Sequence, residues 1–464
     1  MKRNLPNNMI HYDGIFIGGG PSGYEAALYA RRFARKVAIV EKYRLGGVCL
    51  HTGCIPTKTL LASAKSYMRA KNLERYGIDA SEIDEFEWSA VQLRKRKVID
   101  DNTTGLEKLM ESKGIAMLYG TGSFLDKNTI RVSSDDGKES DISGDRIFVA
   151  TGSKPLPVPG IKCHGDLVIP GEHCLSWETL PDSILIVGGG VMGCEMACAF
   201  APYGIEVHLI ELMEDILPTE DIDVSKTLRR ELKKLGVKLY LGKKLENLEF
   251  PGSKVSFEVE GKGKFSVDKV LVCAGRGAIL DDLNLENAGV KLESHGSIEV
   301  DEYQRTNIDN IYASGDVAGP PYLAHAASYT GKISVLHAFD NPVKKDLKNI
   351  PAGIFTFPEV GRVGKTEQQC REEDIDYKIG IGQMRRVGRS HAEGETAGFA
   401  KIIVDSDDKI IGGHLVGKDA GEIIHIVALA MVTEMTSHDL EDKLIFSHPT
   451  ISEVLWEALK ELHS

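Results

Sequence analysis

Cys49 and Cys54 stand five positions apart in GGVCLHTGCIPTK, residues 46–58, with Pro56 and Lys58 close behind. Thiols at that spacing suit three uses: inert packing, a metal clasp, or a couple that opens and closes as electrons pass. A clasp wants four soft or imidazole ligands in one compact cluster. His51 lies between the cysteines, but no second Cys-x-x-Cys or His-x3-His partner is near in sequence. On a regular helix, a five-residue offset sets the Cα atoms roughly 8.6 Å apart, beyond the roughly 7 Å reach of a disulfide. Closing the bond therefore requires a distorted turn, which Gly53 and Pro56 permit through glycine's freedom and proline's missing N–H. A strained, closable pair is more reducible than a structural one and so suits catalysis. Packing remains the alternative on local sequence.

Near the other end stands Phe446-Ser-His448-Pro449-Thr450-Ile-Ser-Glu453. A histidine with a carboxylate close behind fits a base held by an orienting group. Thr450 to Glu453 also spells a T-x-x-E capping box, so Glu453 has a purely structural alternative.

The elements that position these residues show as two copies of one device. Residues 13–23 run a short apolar strand into a G-x-G-x-x-G turn, Gly18, Gly20 and Gly23, and residues 184–193 repeat it with Gly188, Gly190 and Gly193. Each turn opens a helix, and a second apolar strand then ends in an acid, Glu41 or Glu211, twenty-three residues after the first glycine in both copies. One such turn is weak evidence, since glycine-rich turns are common. Two in strand-turn-helix context, each closed by a spaced acid, imply two dinucleotide sites. The glycines let backbone approach a pyrophosphate, the helix N-terminus stabilises its charge, and the carboxylate accepts a ribose hydroxyl. Glu211 is followed by Leu212, Met213, Glu214 and Asp215, with no cation for a 2′-phosphate, so the second site should prefer NAD to NADP.

Two flanking segments, residues 148–160 and 310–327, read as a strand end and a strand-Gly315-Asp316-helix passage, so the second unit looks inserted into the first. From about residue 350 the pattern changes to alternating strands, then apolar helices expected over 420–436 and 451–462, which predicts a separate α+β domain.

At 464 residues the chain has room for about three domains. A net charge of −12 disfavours nucleic acid, whose binding needs Lys and Arg to neutralise phosphates. The basic run Arg94 to Lys97 reads as a solvated helix face. The most apolar stretch, residues 184–205, is broken by Gly188, Gly189, Gly190 and Glu195, so no membrane span is expected. MKRNLPNNMI has no apolar signal core, and the expected location is cytoplasmic. Most of the eight cysteines should then be small buried hydrophobes, among them Cys194 and Cys198 at i, i+4 in an apolar helix.

Residues 46–58 resemble the redox-active disulfide of the class I flavoprotein disulfide reductases, and the pattern Gly46-Gly47-x-Cys49-x4-Cys54-Ile-Pro-x-Lys58 is most similar to dihydrolipoamide dehydrogenase. The resemblance covers essentially the whole chain. It implies an α/β fold of two Rossmann-like dinucleotide-binding domains, the second inserted in the first, plus a C-terminal α+β dimerisation domain. The implied boundaries are 1–150 and 276–347 for an FAD-binding domain, 151–275 for an NAD-binding domain and 348–464 for dimerisation. Matching motifs place Gly18, Gly20, Gly23, Glu41, Lys58 and Asp316 at FAD, with Gly122, Gly152 and Ala324 beside them in the cofactor-binding set. Gly188, Gly190, Gly193, Glu211 and Gly275 would line the NAD site.

In the same family pattern His448 is the acid/base lent by the other subunit of a homodimer, with Glu453 orienting it. Cys49 exchanges with substrate, Cys54 lies nearer the flavin, and Lys58 pairs with Glu195 beside it. The implied activity is oxidation of protein-bound dihydrolipoamide with reduction of NAD, and the implied partner is a lipoyl-bearing protein of a 2-oxoacid dehydrogenase complex or of the glycine cleavage system. No resident metal is implied. Departures from the pattern are Val48 for the usual Thr, Gly275-Arg276-Gly277-Ala278 without the usual Arg-Pro-Asn ending, and Ser447 before His448. The alternatives are an NADH-dependent reductase of another low-molecular-weight disulfide, a non-catalytic flavoprotein subunit, and a diaphorase or NADH oxidase that bypasses the cysteines.

Overall fold

The computed structural model of the chain describes residues 9–79 and 85–464; the stretch MKRNLPNN, whose sequence predicts no secretory signal, lies outside them. The chain divides into two compact units. Met1–Pro56, Leu93–Pro157 and Gly275–Asp346 form one, and Thr57–Gln92, Val158–Ala274 and Leu347–Ser464 the other.

The first unit is built on a seven-stranded sheet. Its parallel part runs Ile115–Tyr119, Val37–Glu41, Ile10–Ile17, Glu139–Val149, and Thr129–Ser133 and Thr121–Asp126 continue it antiparallel. All five residues of Val37–Glu41 are buried, as expected of a β-branched strand covered on both faces. Strand Ile311–Ala313 pairs parallel with Glu139–Val149, Ile311 opposite Ile147. The chain that leaves this sheet at Val149 thus returns to the same strand after the second dinucleotide unit, which is an insertion. Helix Pro21–Ala30 packs on helix Ala324–Ala338. Small residues allow the approach: a Cβ on Gly331 would lie 2.7 Å from the Ser22 carbonyl oxygen.

The second unit holds a parallel sheet ordered Lys238–Leu241, Glu206–Glu211, Ser183–Val187, Lys269–Val272, Val168–Pro170. It also holds the C-terminal antiparallel sheet ordered Ala352–Ile354, Glu359–Gly364, Ile410–Gly417, Phe399–Asp405, Tyr377–Gln383. Helix Glu453–Leu462 lies on the last two strands. There Gly380 and Gly382 face the helix backbone, and any Cβ would collide with the carbonyl oxygens of Ala458 and Val454. Arg362, His414 and Lys401 stand opposite one another on three neighbouring strands.

Three local expectations are adjusted. The helix expected to reach residue 436 is Ala420–Val432, because Thr436 N-caps a separate helix, Ser437–Lys443, in a capping box with Asp439. The last helix starts at Glu453 rather than 451. In the basic run on helix Trp88–Ser112, Arg94, Arg96 and Lys97 are exposed while Lys95 is buried. Cys194 and Cys198 are buried as expected, and burial raises both thiol pKa values, Cys198 to about 12. Among the described residues, no helix is long and apolar enough to cross a membrane.

Candidate functional site

The two glycine turns adopt one geometry. Gly18 and Gly188 have φ of 104° and 108°, a region open to glycine. Gly20 and Gly190 N-cap their helices in extended conformation. A Cβ on Gly23 would collide with the Gly18 carbonyl oxygen, and one on Gly193 with that of Gly188, so the third glycine serves strand-helix packing. The middle glycine has no such reason within the chain. A Cβ on Gly190 meets nothing within 4 Å, and one on Gly20 only the Gly47 Cα at 3.9 Å. Bare backbone facing open space at a helix N-terminus fits close approach by a pyrophosphate, so the residues present suit a dinucleotide at both turns.

The acids repeat this symmetry. Glu41 Oε2 accepts the Gly19 N–H at 2.6 Å and Oε1 the Tyr43 N–H at 2.8 Å. Glu211 Oε2 accepts the Gly189 N–H at 2.6 Å and Oε1 the Met213 N–H at 2.8 Å. Each carboxylate is fixed against its own turn and keeps further lone pairs for ribose hydroxyls.

The cysteine segment is joined to the first turn. Gly46 and Gly47 both have positive φ, the Gly46 N–H donates to the Gly19 carbonyl at 2.8 Å, and a Cβ on Gly47 would lie 2.7 Å from the Gly20 Cα. Cys49 then sits in the short helix Gly47–His51, and Cys54 is the first residue of Cys54–Ala70. Between them Thr52 and Gly53 break the helix, Thr52 with φ −137° and ψ 15°. A Cβ on Gly53 would stand 2.9 Å from the Val48 carbonyl oxygen. Pro56 falls in the first turn of the longer helix, where its missing N–H costs nothing. This is the interrupted turn that a closable pair requires. His51 Nε2 bonds the Leu45 carbonyl at 3.0 Å, which gives that imidazole a structural partner.

Lys58, one turn beyond Cys54, donates to both oxygens of Glu195 at 2.9 Å. Glu195 is buried and also accepts the Phe355 N–H at 2.9 Å, while the Lys58 ammonium lies 4.6 Å from the Phe355 ring centre. Asp316 accepts from the Ser153 hydroxyl at 2.5 Å, and Arg276 Nε donates to that hydroxyl at 2.9 Å. Burial raises the Asp316 pKa, opposed by Ser153 and the Arg276 charge. Ser153 and Phe355 escaped the sequence reading. They act through backbone and hydroxyl contacts that no local motif marks.

His448 and Glu453 meet as the spacing anticipates. His448 Nδ1 is 2.9 Å from Glu453 Oε1, and Glu453 Oε2 accepts the Thr450 N–H at 3.0 Å. One carboxylate therefore bonds the imidazole and a backbone donor just before the last helix at once. Its own burial acts to raise the Glu453 pKa, but the bonds from His448 and Thr450 outweigh it and lower it. The His448 side chain is 76 % exposed.

Gly152 and Gly275, both at positive φ, precede the short paired strands Ser153–Pro155 and Arg276–Ala278. Gly122 lies in strand Thr121–Asp126, where a Cβ would press Ile17 and Val40 at 3.1 Å, and Ala324 begins helix Ala324–Ala338.

Residues 12–331 match the family described as pyridine nucleotide-disulphide oxidoreductase, and residues 350–459 match its dimerisation domain. A dihydrolipoyl dehydrogenase of Bacillus subtilis is 37% identical over 462 residues, covering 96% of this chain and 97% of that one. One from Zymomonas mobilis is 34% identical, with 97% of each chain covered. The crystal structure of LpdA from Mycobacterium tuberculosis is similar with a TM-score of 0.89 at 26% identity, covering 97% of this chain and 99% of that one. The HOCl-induced flavoprotein disulfide reductase RclA from Escherichia coli is similar with a TM-score of 0.86 at 28% identity and the same coverage. The duplicated turns, the cysteine pair on two consecutive helices and these full-length likenesses agree: the chain belongs to the pyridine nucleotide-disulphide oxidoreductase family.

Proposed function

We propose that this chain is a dihydrolipoyl dehydrogenase, which oxidises protein-bound dihydrolipoamide to the cyclic disulfide and reduces NAD. The observation that carries the reading is the broken helix at Thr52–Gly53, which sets Cys49 and Cys54 on consecutive helical segments stitched to the first dinucleotide turn. The family acts with FAD and NAD and as a homodimer. Bound FAD supplies transfer of an electron pair between the cysteine couple and NAD.

The chain's own residues do the rest. His448, held by Glu453, takes the proton from one substrate thiol. The thiolate attacks Cys49 of the Cys49–Cys54 disulfide, forming a mixed disulfide and releasing Cys54 as thiolate. The second substrate thiol displaces Cys49, so the substrate leaves as a disulfide and the cysteines hold its electron pair and a proton. An imidazole 76 % exposed in the single chain suits a base that serves the partner's cysteines. Lys58 and Glu195 form the charged pair proposed beside FAD, with Glu41 and Glu211 as the ribose acceptors. The proposed physiological partner is a lipoyl-bearing protein of a 2-oxoacid dehydrogenase complex or glycine cleavage system, in the cytoplasm.

The test is a steady-state comparison of lipoamide with glutathione disulfide and other small disulfides, each with NADH and NADPH. Lipoamide with NADH should be turned over best. A higher kcat/KM for another disulfide would replace this reading with that of a different NADH-dependent disulfide reductase.

A further inference from the structure

Away from the redox residues, His438, Glu441 and His463 converge at the C-terminal end of the last helix. His438 and Glu441 stand three residues apart on helix Ser437–Lys443, on one face of it, and His463 caps helix Glu453–Leu462. The two imidazoles stack with ring centres 3.8 Å apart and planes 12° from parallel. His463 Nδ1 contacts Glu441 Oε2 directly. A ligand atom from each of the three residues lies within 4.8 Å of the others.

Helix anchoring accounts for the His463–Glu441 contact, and ring stacking for the parallel imidazoles. What points to a ligand is the convergence of three donor atoms, together with the far side of His463. Its Nε2 is 2.9 Å from the hydroxyl of Ser437, a residue with no exposure. Metal-bound imidazoles characteristically donate their other N–H to such a partner, which fixes the tautomer and leaves one nitrogen for the ion. Without an ion, Nδ1–H donates to Glu441 Oε2; a metal ion at Nδ1 takes the place of that proton, and Ser437 then receives Nε2–H.

We propose that His438, Glu441 and His463 form a binding site for a first-row divalent transition metal ion such as Zn(II) or Ni(II). Two imidazoles and one carboxylate are the donor set for such ions rather than for Mg(II) or Ca(II). At metal-ligand distances of about 2.0–2.1 Å, tetrahedral ligands are about 3.3 Å apart, so the site closes by about 1.5 Å or less. The exposed His438 ring supplies that movement by turning out of its stack on His463, which brings its lone pair toward the other two donors. Half-buried Glu441 and His463 leave the remaining positions to water. A bound ion would tie helix Ser437–Lys443 to the far end of the helix that begins with Glu453.

The test uses the FAD-bound protein with Cys49 and Cys54 joined as a disulfide, so that their thiolates do not compete, stripped with chelator and titrated with Ni(II) by calorimetry. One ion per chain is expected, together with a rise in thermal midpoint. His438→Ala removes an exposed ring whose stack on His463 is partly open to solvent, and should weaken binding about tenfold or more and abolish the thermal shift. Glu441→Gln should do the same. Binding of equal strength in His438→Ala, or no saturable Ni(II) binding by the unaltered protein, would overturn the site.

Discussion

Lys401 Nζ lies 2.8 Å from Asp221 Oδ1, and neither side chain has any exposure. Glu367 at 2.9 Å and Asp223 at 2.5 Å complete the ammonium's surroundings. Asp221 is the N-cap of helix Ile222–Lys234 in the second dinucleotide unit, whereas Lys401 belongs to the C-terminal sheet. Beside them Arg362 Nε reaches Glu220 Oε1 at 2.8 Å. A row of basic side chains on the sheet thus grips the acidic entry of that helix. Removing one member of a buried ion group leaves charge uncompensated, at a cost of about 3–5 kcal/mol. Lys401→Met should lower stability by that order in chemical denaturation, and adding Asp221→Asn should recover part of it. A single variant as stable as the parent would show that the group contributes nothing.

The same group sets an acid limit. Burial works to raise Asp221 and Glu367, but it is outweighed by the His414 charge and Lys401 at Asp221 and by Lys401 at Glu367, so both pKa values are lowered. Stability from a depressed carboxylate is present above its unfolded pKa, about 3.9 for Asp and 4.3 for Glu, and is lost as pH falls through the folded value. His414, whose pKa burial lowers, adds an earlier loss as pH falls below about 6.5, where the unfolded imidazole takes up a proton. Denaturation midpoints should therefore decline gently below about pH 6.5 and steeply below about 4.3. Buried His208, whose pKa is lowered by the same cause, contributes to the gentle phase as well, so His414→Asn should reduce that phase and retain the steep one.

The middle and third glycines of the second turn should separate binding from folding. Gly190→Ala adds a methyl that meets no protein atom, so thermal stability and FAD content should hold while KM for NAD rises about tenfold, roughly 1.4 kcal/mol of lost binding. Gly193→Ala drives its methyl into the Gly188 carbonyl and should lower stability by about 1–3 kcal/mol. Equal effects on folding from both substitutions would remove the argument that open space at Gly190 is kept for a ligand.

Cys49→Ser or Cys54→Ser should abolish lipoamide turnover while NADH oxidation by an artificial one-electron acceptor persists, because only the first route needs disulfide exchange. Retained lipoamide activity in either variant would favour a diaphorase reading.

His448→Gln should lower lipoamide kcat by roughly 10²–10⁴-fold, the usual contribution of a positioned acid/base. Glu453→Gln keeps the Thr450 bond and loses the charge facing the imidazole, so its loss should be smaller. It should fall on kcat more than on KM, since orientation of the base matters most in the transition state. Mixing the His448→Gln and Cys49→Ser proteins tests the shared site directly: heterodimers should regain activity that neither parent has.

The parts that were legible in sequence are those whose cause is local. The glycine turns with Glu41 and Glu211 reveal themselves because the strand-turn-helix-strand path fixes the spacing from turn to acid, and His448 with Glu453 because they stand five positions apart. Gly53 signalled a broken helix for the same reason. The Lys401 group was hidden: Asp221, Glu367 and Lys401 lie far apart along the chain, and only strand register brings Arg362, His414 and Lys401 into one row. Both readings of Glu453 were legible in sequence as alternatives; the structure bonds its carboxylate to His448 and to the Thr450 N–H together, with Ser452 rather than Thr450 as N-cap of the last helix.

The return of Ile311–Ala313 to the strand ending at Val149 also bears on how the protein is made. A ribosome releases the chain from its N-terminus at about 5–20 residues per second, and domains generally mature as they emerge. Here the first sheet waits, missing its final strand, until the whole inserted unit and residue 313 have cleared the exit tunnel. The sheet that holds Ile10–Ile17 therefore gains its Ile311–Ala313 strand only after the inserted unit has been made.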